Sequence, residues 1–209
     1  TYTLREEMAP YGYLMAEEIT FTVEDTAEIQ KVEMKDDVPT GTLIINKKGE
    51  FLDKVSVLDS VGGWIKHLFE YFSGSLKEVT FEVYALEDIK AADGESEDYY
   101  KKDALVATVT TDADGYATVK NLPLGRYYVK EKNAPDTYVL NTVPENVEFA
   151  YADQDTAVIE KEISVTDERQ KVSITVEKQD AETGNAAQGD ATLEGAVYGL
   201  YAVSYTHLT

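Results

Sequence analysis

Glu131 occupies a position where a half-buried strand should carry an apolar residue. The stretch NLPLGRYYVKEKNAPDTY, from Asn121 to Tyr138, puts Tyr127, Val129 and Glu131 on one parity and Tyr128 and Lys130 on the other. Strand side chains alternate faces, so the face that takes Val129 into a core takes Glu131 with it. A near copy opens the chain as YTLREEMAPYGY. There Tyr2, Leu4, Glu6, Ala9, Pro10 and Tyr13 match Tyr127, Val129, Glu131, Ala134, Pro135 and Tyr138 at one constant displacement. A chain that repeats its own strand in this way is built from more than one copy of the same unit.

Two further charges fall on apolar parities, and both recur. In DTAVIEKEISVTD, Ile163, Val165 and Asp167 share a face, as Val32, Met34 and Asp36 do in AEIQKVEMKDD. In TLIINKKG, Leu43, Ile45 and Lys47 line up, as Ile174, Val176 and Lys178 do later. Asp36 precedes Lys47 by the same interval that separates Asp167 from Lys178. The repeat therefore divides the chain into the tail of one domain at 1–37, a complete domain at 38–168 and the head of a third at 169–209.

Between these landmarks the pattern is that of short alternating strands with turn signals, which predicts an all-β sandwich. EEITFTVED and AEIQKVEMKDD read as strands of the first domain, and GAVYGLYA repeats VTFEVYA in the third. One stretch breaks the alternation. Within an insertion near 49–77, Trp64, Ile65, Leu68, Phe69 and Phe72 fall at helical spacing between Gly62-Gly63 and Ser73-Gly74-Ser75, predicting one short amphipathic helix. Such a face serves either to cap the β domain or to contact a partner. Asp112-Ala113-Asp114-Gly115 begins like a calcium loop but lacks the later acids of that signature, so a tight hairpin turn is expected instead. Ser204 to Thr209 depart from the repeat and resemble adaptor-derived read-through, and no role is placed on His207.

Lys47, Glu131 and Asp167 converge on one chemical problem. Ionised groups in an apolar core cost several kcal/mol each unless they are paired and hydrogen-bonded. Burial lowers a lysine pKa and raises a carboxyl pKa, favouring a free amine beside a protonated acid. If the first and last strands are neighbours, the Lys47 amine can attack the Asp167 carboxyl while Glu131 polarises the carbonyl and shuttles protons. The plain alternative is that each charge ends its strand and bends into solvent. Lys48 and Asn146 lie near the chosen positions but fit the parity or the repeat less well. A hydrolase using Glu131 with a second acid is a weaker reading, since Asp167 is the only acid placed to pair with it.

The pattern Y-x-[LV]-x-E-x-x-A-P, preceded in the full copy by L-P-x-G, resembles the signature of Cna B-type (SpaA-like, prealbumin-like) domains of Gram-positive surface proteins and pilins. That resemblance implies tandem immunoglobulin-like sandwiches. It also implies an intramolecular isopeptide bond between Lys47 and Asp167 assisted by Glu131, with Glu6, Asp36 and Lys178 as equivalents left unpaired in the incomplete copies. The implied function is a structural stalk or shaft of a cell-wall-attached adhesin or pilin, extracellular, with neighbouring repeats, other pilin subunits or a host surface protein as partners. No turnover enzyme, cofactor or metal is expected. The alternative is a ligand-binding adhesin module using the aromatic insertion.

Composition fits this setting. Lys+Arg 19 against Asp+Glu 40 gives a net charge of −21, which disfavours nucleic acid and anionic membranes. The chain has no cysteine, so disulfides cannot staple it. No apolar run approaches the length of a membrane span, and Thr1 follows neither a signal peptide nor an initiator methionine, so the chain reads as an internal fragment.

Overall fold

The computed structural model describes residues 1–26, 28–59, 65–171 and 176–199. Among them the regular elements are all strands: β1 (Tyr2–Leu4), β2 (Ile19–Phe21), β3 (Thr40–Asp59), β4 (Ile65–Ser75), β5 (Thr80–Ala85), β6 (Leu105–Thr110), β7 (Tyr116–Pro123), β8 (Gly125–Asn133), β9 (Glu145–Phe149) and β10 (Val158–Asp167). The chain divides into two compact units, one formed by Thr1–Phe51 with Tyr71–Gln170, the other by Leu52–Glu70 with the residues after Gln170.

The first unit holds a β-sandwich. One sheet runs β6-β5-β8-β9, all antiparallel. In the other, β3 is central, with β10 parallel on one side and β7 antiparallel on the other, and it also pairs β4. Period-2 patterning sets the inner faces: Leu43 and Ile45 of β3, Val79, Phe81, Val83 and Ala85 on and beside β5, Tyr127 and Val129 of β8, Phe149 of β9 and Val165 of β10 form one core. Gly41 permits this closeness, because a Cβ there would lie 2.5 Å from the Phe149 ring. The Tyr127 hydroxyl, carried inside with its ring, donates to the Pro123 carbonyl at 2.6 Å.

The expected helix is corrected. Residues 65–75 form β4, while Trp64 lies outside the described residues. Leu68 and Phe72 share one parity and Phe69 and Tyr71 the other, and all four are exposed. A segment apolar on both strand parities and rich in aromatic residues suits a strand as well as a short helix, and pairing with β3 satisfies its backbone groups along the strand. Phe51 stacks on Phe72 with centroids 5.6 Å apart.

Three other expectations shift. EEITFTVED yields β2, which pairs with β1, but the described residues 28–37 of AEIQKVEMKDD form no strand: Val32, Met34 and Asp36 are half-buried alternately with exposed neighbours, without a ladder partner. The Asp112–Gly115 turn is no hairpin, since β6 and β7 belong to different sheets. It is a corner between them, in which the Asp112 carboxylate accepts from the N–H groups of Asp114 and Tyr116, both at 2.9 Å. In the third copy, residues 176–179 and 196–199 carry no strand, while Ile174, residues 200–202 and Ser204 to Thr209 lie outside the described residues.

In the second unit, Glu70 accepts from Ser56 at 3.1 Å and pairs with Lys54 at 3.3 Å. Farther along, Asp180 closes a turn with Gly184, its carboxylate accepting from the N–H groups of Glu182 and Thr183, both at 2.9 Å. These donors hold its pKa well below the usual carboxylate range.

Candidate functional site

Lys47 is the last inward side chain of the buried stretch of β3, following Leu43 and Ile45, and all three are fully buried. Asp167 ends β10 on the same inner parity as Val165. Glu131 comes from the facing sheet, where β8 carries it inward after Tyr127 and Val129. The sandwich thus closes over one base and two acids drawn from three strands, as the parity argument anticipated.

The Lys47 ammonium donates to Glu131 Oε2 at 2.7 Å and also bonds Asp167 Oδ1. All three side chains are shut off from solvent. Across β5–β8, Phe81 is the register partner of Glu131, and its ring centroid lies 5.8 Å from Lys47 Nζ. The cluster is thereby walled by an aromatic face. It is also under-satisfied: Glu131 Oε1 and Asp167 Oδ2 are buried without hydrogen-bond partners. A single lysine cannot neutralise two carboxylates, so one proton more than the ordinary titration would supply is favoured here. Burial pushes the Glu131 carboxyl up to about 7, against the opposing pull of Lys47 and with a further push from Asp167.

This arrangement can do chemistry. An amine, the carboxyl it touches and a second carboxyl of raised proton affinity are held together out of contact with solvent, a geometry suited to condensation with internal proton transfer. The rivals stand elsewhere, since Lys48 and Asn146 are exposed.

The equivalents in the incomplete copies are not gathered in this way among the described residues. Glu6 Oε2 accepts from the Ala16 N–H at 2.7 Å, Asp36 is half-buried, and the exposed Lys178 donates to the carbonyl of its neighbour Gln179 at 2.9 Å. What the repeat does preserve is the Ala-Pro turn: the Tyr13 N–H donates to the Pro10 carbonyl, and the Tyr138 N–H to the Pro135 carbonyl, both at 3.1 Å.

The sequence profile of the SpaA prealbumin-like fold domain matches residues 72–164. That segment resembles the SpaA prealbumin-like fold domain. The SpaA-type match includes Glu131 but begins after Lys47 and ends before Asp167. Among solved structures, the chain is similar to the Bacillus anthracis TIE protein, with a TM-score of 0.48 and 23% identity, covering 80% of this chain and 25% of that one. It is also similar to GBS52, the minor pilin of Streptococcus agalactiae, with a TM-score of 0.41, 14% identity and coverage of 69% and 51%. A third is the major pilin SpaD of Corynebacterium diphtheriae, with a TM-score of 0.37, 22% identity and coverage of 62% and 30%. The chain spans between 25% and 51% of the length of these structures. No match was found among curated proteins.

Sequence reasoning missed Phe81 and Gly49 as neighbours of the cluster. Phe81 carried no signal beyond ordinary core patterning. Gly49 is the register partner of Asp167, and nothing in its local sequence identifies that strand pairing.

Proposed function

We propose that this chain is a structural shaft segment of a Gram-positive cell-surface pilin or adhesin, whose complete domain, 38–168, is closed by an amide bond between Lys47 and Asp167. The incomplete flanking domains are 1–37 and 169–209. The observation that carries the reading is the buried contact of Lys47 with both Glu131 and Asp167, where burial raises the proton affinity of Glu131. The match of residues 72–164 to the SpaA prealbumin-like fold domain supports the setting, extracellular and beside other subunits of the same kind.

The reaction balances as a dehydration. A Lys47 proton passes to a carboxylate, the freed amine attacks Asp167 Cγ, and the Nζ–Cγ bond forms. Protonated Glu131 gives its proton to the departing hydroxyl, the Cγ–O bond breaks, one water leaves, and Nζ returns its second proton to Glu131, which ends as it began. Each molecule reacts once, so the protein is no turnover enzyme.

Intact mass of the full chain tests this. The parent is expected to weigh one water less than its sequence, and Lys47→Ala, Asp167→Ala and Glu131→Ala to regain the full sequence mass of each variant. A parent at full mass refutes the bond.

A second reading keeps the exposed aromatics of β4 as a contact surface for a host or neighbouring protein. Phe69→Lys, on the exposed face, would then abolish adhesion while leaving the mass deficit intact.

A further inference from the structure

The turn that follows the glutamate strand is held in a strained shape. Thr137 has a φ of 76°, in the left-handed region that a β-branched residue avoids. The corresponding residue of the first copy is Gly12, with a φ of 96°. The Ala-Pro turn therefore demands this conformation, and the complete domain accepts a cost of about 1–3 kcal/mol to keep a threonine there. Such strain persists only where surrounding contacts over-determine it.

Those contacts converge on the residues just beyond Asp167. The Gln170 N–H donates to the Thr137 carbonyl at 2.7 Å, and the Val139 N–H to the Glu168 carbonyl at 2.9 Å. Arg169 donates from Nη2 to Thr137 Oγ1 at 3.3 Å, and its N–H to Glu50 Oε2 at 3.2 Å. The Tyr138 ring lies between: its hydroxyl donates to the Glu50 carbonyl at 2.9 Å, and the Arg169 guanidinium sits 5.6 Å from its centroid. A Cβ on Gly49 would stand 2.8 Å from Tyr138 Cε1, so the ring lies directly over the residue paired with Asp167.

We propose that Tyr138 is a positioning residue for amide formation: its ring covers Gly49 and, with the 137–139 backbone, clamps the chain after Asp167 so that the Asp167 carboxyl stays against Lys47 in a water-free site. This rests on the Lys47–Asp167 bond proposed above. β10 lies at the edge of its sheet, and Asp167 is its last residue, so β3 alone holds only one side of it. A strand end of that kind frays and admits water unless it is fastened from beyond. Dehydration between two side chains needs both a fixed approach and an excluded solvent, and the Tyr138 clamp supplies both.

The test follows bond formation in the full chain after a short expression pulse, by intact mass over time at constant temperature and pH. Tyr138→Ala and Tyr138→Leu are each made alone and in the Lys47→Ala background, where melting reports folding without the bond. The parent is expected to be linked at the first time point. Tyr138→Ala and Tyr138→Leu are expected to link at least tenfold more slowly while folded, and Tyr138→Phe, which keeps the ring, to link like the parent. Linkage in Tyr138→Ala as rapid as in the parent overturns the proposal. So does a linked fraction in the Ala and Leu variants that merely follows the folded fraction of their Lys47→Ala counterparts. A parent at full mass is a different failure: it refutes the bond itself, and the role of Tyr138 in forming it falls with the bond, whereas a linked parent with equally fast Tyr138 variants refutes the role alone.

Discussion

Asp167 lies opposite Gly49, not opposite Lys47, in the parallel pairing of β10 with β3. The direct partner of Lys47 is Val165, so the lysine side chain reaches diagonally along the strands to the last residue of β10. A four-carbon stem suits that reach, and the glycine opposite Asp167 leaves room for the Tyr138 ring.

The stability contributed by a Lys47–Asp167 bond follows from its span. A link between residues 120 apart in sequence removes roughly 4–5 kcal/mol of unfolded-state freedom. Lys47→Ala also leaves two buried carboxyls without their cation. Its melting temperature is expected to fall by about 10–20 °C, at roughly 2–4 °C per kcal/mol for a protein of this size. Calorimetry showing equal melting of variant and parent would remove the stabilising role.

In Lys47→Ala, Glu131 should become a measurable source of pH dependence. Burial, the largest cause of its raised pKa, and Asp167 remain, while the opposing lysine is gone. Its folded pKa therefore stays above the ordinary 4.5, and the folded state binds more protons than the unfolded state in the window above that value. This contribution favours folding at low pH and is lost as pH rises through the folded pKa. Urea midpoints at about pH 5 and pH 8 should show it as a difference between Lys47→Ala and Lys47→Ala/Glu131→Gln. An identical pH response in the two would place Glu131 in contact with solvent.

Gly41→Ala should cost about 1–3 kcal/mol, because its Cβ would meet the Phe149 ring at 2.5 Å inside the core. Urea denaturation of the Lys47→Ala/Gly41→Ala pair against Lys47→Ala measures this without interference from the bond. No change would mean that the two sheets separate there at little cost.

Thr137→Gly relieves the left-handed strain and loses one hydrogen bond from Arg169. The strain is the larger of the two, so stability should rise by about 1 kcal/mol. Measured in the Lys47→Ala background, a lower urea midpoint would show instead that the Arg169 contact dominates.

Parity made the inner faces legible: the rule that placed Leu43, Ile45, Val129 and Val165 inside also placed Lys47, Glu131 and Asp167 there. Pairing was not legible, because alternation says which face a residue takes and nothing about which strand lies beside it. AEIQKVEMKDD shows the difference, with its alternation kept in burial but no ladder formed. The 65–75 segment failed for a related reason. Ile65, Leu68, Phe69 and Phe72 fit a helical stripe, but Leu68 with Phe72 and Phe69 with Tyr71 fit the two faces of a strand equally well, and β3 decided between them. The strained Thr137 turn was hidden as well, since only comparison with Gly12 in the first copy hints at a positive φ.

The parallel run of β10 beside β3 has a mechanical consequence. Tension applied to the chain before Thr40 and after Asp167 drags these strands lengthwise past each other, so their hydrogen bonds must shear together rather than open one by one. With Lys47 joined to Asp167, that tension would travel from Thr40 along β3 to Lys47, cross to Asp167 and leave. Everything from Lys48 to Thr166, which includes most of the core, would lie off the stretched path, and the domain could be pulled without being unravelled.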